Sequence, residues 1–226
     1  MHLNQIDVAS HQAGVEVVEH TDDRRVLAAL ERLRLRFGVP ARLQFDNGGP
    51  FIAPRGPGEV VRVRLHQGTT PVFIPAGEPW RNGTIEHFND TFDKRFLRRE
   101  SIGGLGQLGE RAGAFERFHN AGYRYSATGG QTPQEAGGGV ARRAPIALAE
   151  LPPGWPERGR VEFIRFIRSD HRLRPPGRSL TLPDGSAYRY VTAILDLAAS
   201  PQGHNLRVVD TDGALIASAR LPLPRR

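Results

Sequence analysis

The apolar positions at the start of the chain come in short strand-like runs and then shift to a helical period. Residues 3–9 (LNQIDVA) and 15–19 (VEVVE) read as two strands, with a turn around Ser10–Gly14 between them. Val26, Leu27, Leu30, Leu33 and Phe37 then fall on one helical face. Thr21 is the expected N-cap of that helix, Asp22 and Asp23 suit its first turn, and Gly38 and Pro40 end it. A strand is predicted over Arg42–Asp46, a short helix over Gly58–Gln67, and a strand over Thr69–Ile74 that Pro75 stops. A long helix is predicted from Asn82 or Thr84, with Ile85, Phe88, Phe92 and Phe96 as its apolar stripe.

Residues 101–110 are glycine-rich and read as a mobile loop, and Ala112–Asn120 reads as a helix. From Gly137 to Gly159 glycine and proline are dense enough for a linker. Beyond it come five short strand-like runs, RVEFIRFI, RSLTL, YRYVTAIL, NLRVVD and ALIASARL, separated by turn chemistry such as Pro-Asp-Gly-Ser and Thr-Asp-Gly. Short strands without a long helix suggest a small β-barrel.

Composition narrows the class. The chain has 226 residues, room for one large or two modest domains. It has no cysteine, which excludes disulfides and thiolate metal sites. No apolar run reaches the length of a membrane span and no signal-peptide pattern opens the chain, so a soluble intracellular protein is expected. The formal net charge of +7 favours a polyanionic partner. Of 31 basic residues only Lys94 is a lysine, a skew that fits a GC-rich genome. The charge is uneven: residues 1–100 hold 14 basic and 13 acidic side chains, residues 101–226 hold 17 and 11, and residues 157–226 hold 12 and 7.

Two carboxylates carry the candidate chemistry. Asp46 closes an apolar run in LQFDNGGPF, and Glu86 opens the long helix in PWRNGTIEHFN. Carboxylates presented by a strand end and a helix start can converge on a divalent cation, which needs oxygen ligands fixed by rigid elements. Each has a plainer explanation, Asp46-Asn47-Gly48 as a turn and Glu86 as a helix-start charge.

The two motifs, in this order and in strand-then-helix context, resemble the DDE catalytic core of retroviral integrases and bacterial insertion-sequence transposases. The resemblance implies an α/β RNase H-like core over residues 1–136, a linker over 137–156, and an SH3-like barrel over 157–226 that holds duplex DNA. It implies Asp46 and Glu86 as catalytic metal ligands, a two-ion site of Mg2+ or Mn2+, and Arg81, Asn82, Lys94, Arg95 and Arg98 as DNA contacts. It implies metal-dependent phosphodiester hydrolysis and strand transfer, with a homo-oligomer assembled on transposon ends and target DNA. Asp90 and Asp93 stand where the family carries basic or polar residues after its Glu. The family's first catalytic Asp lies on a strand that precedes the two strands read here. Asp7 is therefore assigned to the strand surface, the core is expected to be incomplete, and the chain as given is expected to be inactive. The alternative is a non-catalytic, DNA-binding or oligomerising remnant. His119 is read as a packing or surface residue.

Overall fold

The computed structural model describes residues 1–20, 22–48, 51–53, 56–99, 101–175, 178–198, 203–221 and 223. In chain order the elements are β1 (His2–Ile6), β2 (Ala13–Val17), α1 (Asp23–Phe37), β3 (Arg42–Phe45), β4 (Ile52–Ala53), β5 (Gly56–Pro57), α2 (Glu59–His66) and β6 (Thr70–Phe73). A 3-10 turn (Pro79–Asn82), α3 (Gly83–Phe92), a π-helical turn (Asp93–Leu97), α4 (Leu105–Gly122) and α5 (Pro133–Gly137) follow. The last stretch holds β7 (Gly159–Phe166), β8 (Arg172–Leu173), β9 (Leu180–Thr181), β10 (Tyr190–Leu197), β11 (His204–Val209) and β12 (Leu215–Leu221). The class is mixed α/β. Two compact units form: residues 1–38 with 79–145, and residues 39–78 with 146–226.

The first unit is built on the antiparallel hairpin β1–β2, with His2 opposite Val17 and Ile6 opposite Ala13. Asp7 makes the turn: its Oδ1 accepts from the amides of Ala9 (3.1 Å) and Ser10 (2.7 Å) and from the Ser10 hydroxyl (2.8 Å). Helix α1 lies close against β2, since a Cβ on Gly14 would sit 2.4 Å from Leu33 and 2.8 Å from Phe37. Its N-cap is Asp22, whose carboxylate accepts the Arg25 amide at 3.0 Å, one residue later than expected; Thr21 lies outside the described residues. At the other end Gly38 has a positive φ (77°), which favours glycine, and its amide reaches the Arg34 carbonyl. The core joins Ala13 and Val15 to Phe88, Phe92, Phe96, Ala112 and Phe115. Phe115 meets Phe92 edge-on at 5.2 Å, so the predicted stripe of α3 is where the packing is.

The glycine-rich residues 101–110 are not all loop, because α4 begins at Leu105. Leu108, Ala112 and Phe115 keep helical spacing and pack on the core, while a Cβ on Gly106 or Gly109 would meet nothing within 4 Å. Glycine lowers propensity there without blocking the packing that decides.

α4 also closes the outer edge of β2. Glu116 accepts the Val15 amide at 2.7 Å, and Asn120 both accepts the Ala13 amide (2.9 Å) and donates to its carbonyl (2.8 Å). These side chains, four residues apart and so stacked on one helical face, stand in for a neighbouring strand. Arg36 donates to Glu116 at 2.8 and 3.0 Å and also to Glu16, which Arg32 joins. His119, fully buried beside them, bonds the His11 carbonyl at 3.2 Å and packs edge-on against Phe88, the packing one of the two alternatives, packing or surface, read from the sequence.

The second unit contains a six-stranded mixed sheet in the order β12-β11-β10-β7-β6-β3. β3, β6 and β7 run parallel, and β7, β10, β11 and β12 form an antiparallel meander. In β10 Val191, Ala193, Leu195 and Leu197 are buried while Thr192, Ile194 and Asp196 face the other way, the alternation of a strand with one face in a core. Of the region expected as a barrel, 157–226, strands β7, β10, β11 and β12 lie in this sheet, which β7 joins to β6, while β8 and β9 pair with each other. Val72 pairs with Glu162 and Phe73 with Phe163, whose rings stack at 5.2 Å, and Arg42 on β3 pairs with Glu162 at 2.6 Å. The expected linker is divided. Arg142 bonds the Arg36 carbonyl and Gln12 in the first unit, while Gln67 exchanges hydrogen bonds with the backbone of Ile146 in the second.

Replacing Asn120 by Leu strands a buried amide and carbonyl of Ala13 and should lower stability by about 2–4 kcal/mol in urea denaturation. Burial raises the Glu116 pKa, more than its bonds to Val15 and Arg36 lower it. The folded state therefore holds this proton more tightly than the unfolded one. Its contribution is full below the ordinary carboxylate range and is lost as pH rises through the raised value. Glu116→Gln should flatten that decline in a pH series of unfolding curves.

Candidate metal and DNA site

Asp46 follows directly on β3, in the second unit, and its side chain is exposed. Its Oδ1 accepts the Gly48 amide at 3.0 Å. A Cβ on Gly48 would lie 3.0 Å from that oxygen and 3.6 Å from the Phe51 ring, so a side chain there would press on the Asp46 carboxylate. Gly49 and Pro50 of the motif lie outside the described residues. The adjacent Asn47 is held at both ends of its amide. Nδ2 donates to the Ile74 carbonyl at 2.8 Å, and Oδ1 accepts from Arg165 Nη2 at 3.1 Å. The other arm of Arg165 donates to the carbonyls of Ile164 (2.8 Å) and Ile74 (3.1 Å). Burial lowers the Arg165 pKa to about 10, which leaves it charged at neutral pH. The sequence reading did not find Arg165; its only signal is one arginine among many in a strand.

Glu86 stands in the first turn of α3, in the first unit, and is exposed. Phe88 and Phe92 anchor the helix that displays it, and Arg81 and Asn82 are half-buried in the 3-10 turn just before. Lys94, Arg95 and Arg98 are exposed on the π-helical turn and just past it. Lys94 pairs with Asp90 at 2.8 Å and Arg98 with Asp93 at 2.6 Å, so the two acids noted in the sequence neutralise two of the three cations. Arg95 lies over the Tyr123 ring at 5.3 Å. Exposed pairs of this kind contribute about 0–1 kcal/mol, so a phosphate can compete for either cation.

A hard divalent cation suits the chemistry of the two carboxylates. Among the described residues neither Asp46 nor Glu86 is ion-paired, and both present oxygen from the end of a regular element. No group of three or more His, Asp or Glu side chains placed for a metal occurs among the described residues. Asp7 is committed to its turn by three hydrogen bonds.

The chain matches no model of a known protein family, and no curated protein matches it. Among solved structures it is similar to a chain in the cryo-EM structure of the simian T-cell lymphotropic virus intasome in complex with the PP2A regulatory subunit B56 gamma. The TM-score is 0.48 at 14% identity, over 96% of this chain and 71% of that one. No helix among the described residues is long and apolar enough to cross a membrane.

Asp7→Ala should cost about 1 kcal/mol of stability, through loss of its turn bonds, and leave divalent-cation binding unchanged. Urea unfolding and Mn2+ titration of the same sample check both halves.

Proposed function

We propose that this chain is a DNA strand-transfer protein of the integrase and transposase type, in which Asp46 and Glu86 are each divalent-cation ligands and arginine-rich surfaces hold DNA. The observation that carries this reading is the Asp46 carboxylate: exposed, without an ion pair among the described residues, and set at a strand end by a turn fixed through Asn47. Mg2+, when bound, supplies Lewis-acid stabilisation of the phosphate and an activated attacking oxygen. The protein's share is to fix the two carboxylates and to neutralise phosphates. In the reaction class a water or a 3′-hydroxyl oxygen forms a bond to phosphorus, a phosphodiester P–O bond breaks, and the leaving oxygen takes up a proton.

The second unit supports DNA contact by charge. On the solvent side of its sheet Arg160, Asp196, Asn205 and Arg220 are register neighbours across four strands. Arg160 and Arg207 share Asp196, each at 2.9 Å, so the row keeps a positive excess. Strands spaced about 4.8 Å apart put the two ends of the row roughly 14 Å from each other, far enough to meet more than one phosphate. Arg81, Asn82, Lys94, Arg95 and Arg98 are proposed as contacts nearer Glu86, with a homo-oligomer on DNA as the working form.

A two-ion site needs a bridging oxygen ligand between cations that repel each other, and Asp46 with Glu86 leaves that place without an assigned residue. The 226-residue chain is therefore expected to bind DNA and one cation but not to join strands. The non-catalytic reading keeps its standing from the same observation. The test is a Mg2+- and Mn2+-dependent nicking and joining assay beside an Asp46→Asn control, with duplex binding measured at 50 and 200 mM salt. Neutralising about three phosphates implies an affinity loss of about 40-fold over that range. Arg160→Ala with Arg220→Ala should reduce that loss. Salt-independent binding would overturn the DNA assignment, and joining above the control would overturn the expected inactivity.

A further inference from the structure

We propose that Arg165, reaching from β7, is the positioning residue for the Asp46 carboxylate. The proposal rests on the reading of Asp46 as a cation ligand. Asp46 has Phe45 on one side and Asn47 on the other. Phe45 is buried, opposite Phe73 in the sheet, and its carbonyl accepts the Ile74 amide at 3.2 Å. Asn47 is the other support, and two bonds fix it: one to the Ile74 carbonyl and one from Arg165. Arg165 is itself fixed, because its second arm bridges the carbonyls of Ile164 and Ile74. The Ile74 carbonyl thus receives both Asn47 and Arg165, closing a small ring of hydrogen bonds around the start of the turn.

With both neighbours held, Asp46 keeps only its side-chain rotation, and the Gly48 amide restrains that by taking Oδ1. The planar guanidinium suits this role, since its two arms leave in fixed directions and meet acceptors on three segments, β7, the end of β6 and the Asp46 turn. Among the described residues Arg165 meets carbonyls, an amide oxygen and the Phe163 ring, and no carboxylate. A half-buried cation without a counter-ion is a poor choice for stability alone, since an apolar side chain would cover the strand without desolvating a charge. Clamping the loop gives the charge a use. β7 therefore contributes to the cation site although its sequence lies far from both motifs.

The experiment measures Mn2+ affinity from paramagnetic broadening of the Gly48 amide in the full 226-residue chain, with thermal unfolding on the same samples. Asp46→Asn should abolish the broadening. Arg165→Lys keeps the charge and the stem but loses the fork, and Asn47→Ala removes the acceptor; each should weaken Mn2+ binding about 10-fold or more. The double variant should lose no more than the larger single loss, because both changes break one clamp. Persistent broadening in Asp46→Asn would overturn the reading of Asp46 as a ligand. Its loss there, with near-wild-type affinity in Asn47→Ala and in folded Arg165→Lys, would overturn the positioning role alone. A merely structural Arg165 would lower the melting temperature and leave the affinity of the folded protein unchanged. Arg165→Lys that fails to fold leaves the decision to Asn47→Ala, whose affinity upholds the clamp if lost and overturns it if retained.

Discussion

Val72 stands opposite Glu162 and Phe73 opposite Phe163, so two segments ninety positions apart in sequence become parallel neighbours in one sheet. Much of the second unit depends on that pairing. It sets the Phe73–Phe163 stack in the core, brings Glu162 to Arg42, and carries Arg165 to the carbonyl of Ile74. Parallel partners need a long connection, and here the connection runs through all of residues 74–158. Such a pairing is costly to close in loop entropy, and it persists because both strands bury large side chains on the same face.

The first unit solves a different problem. A two-stranded hairpin has too little core to stand alone and leaves two edges of unpaired amides and carbonyls. Packing against α1 and α4 supplies the core. Glu116 and Asn120 supply hydrogen bonds at one edge, with Arg36 holding Glu116 in place. The polar side chains of α4 are as necessary to the hairpin as its aromatic ones. A purely hydrophobic account of the helix would miss half of what it does.

The two candidate carboxylates belong to different units, Asp46 to one and Glu86 to the other. Each is displayed by its own local device: an Asx-type turn closed by Gly48 for Asp46, and a helix start anchored by Phe88 and Phe92 for Glu86. The cations near Glu86 are partly neutralised by Asp90 and Asp93, whereas the Arg160 row on the second unit keeps its excess. The candidate phosphate contacts and the candidate cation ligands are thus separate groups of residues.

The sequence by itself determined the elements, because their signals are local. The period of Phe88, Phe92 and Phe96, the glycine after α1, the alternation of Val191 to Leu197 and the turn at Asp46 each depend on neighbours a few residues away. It also presented both carboxylates, since each lies at the end of an element where the pattern changes. Shifts of one residue, such as Asp22 capping α1 in place of Thr21, turn on backbone angles that no set of good capping residues contains. The helical start at Leu105 is hidden along the chain because glycine lowers local propensity there, while the packing of Leu108 and Phe115 in the cluster with Phe96 is a tertiary contact. Only the tertiary structure decided which strands share a sheet, and therefore that β7 extends the sheet of β3 and β6. Arg165 and Asn47, 118 positions apart, share no pattern along the chain. Their meeting is a consequence of strand register, a long-range property set by burial on both sides of the pair.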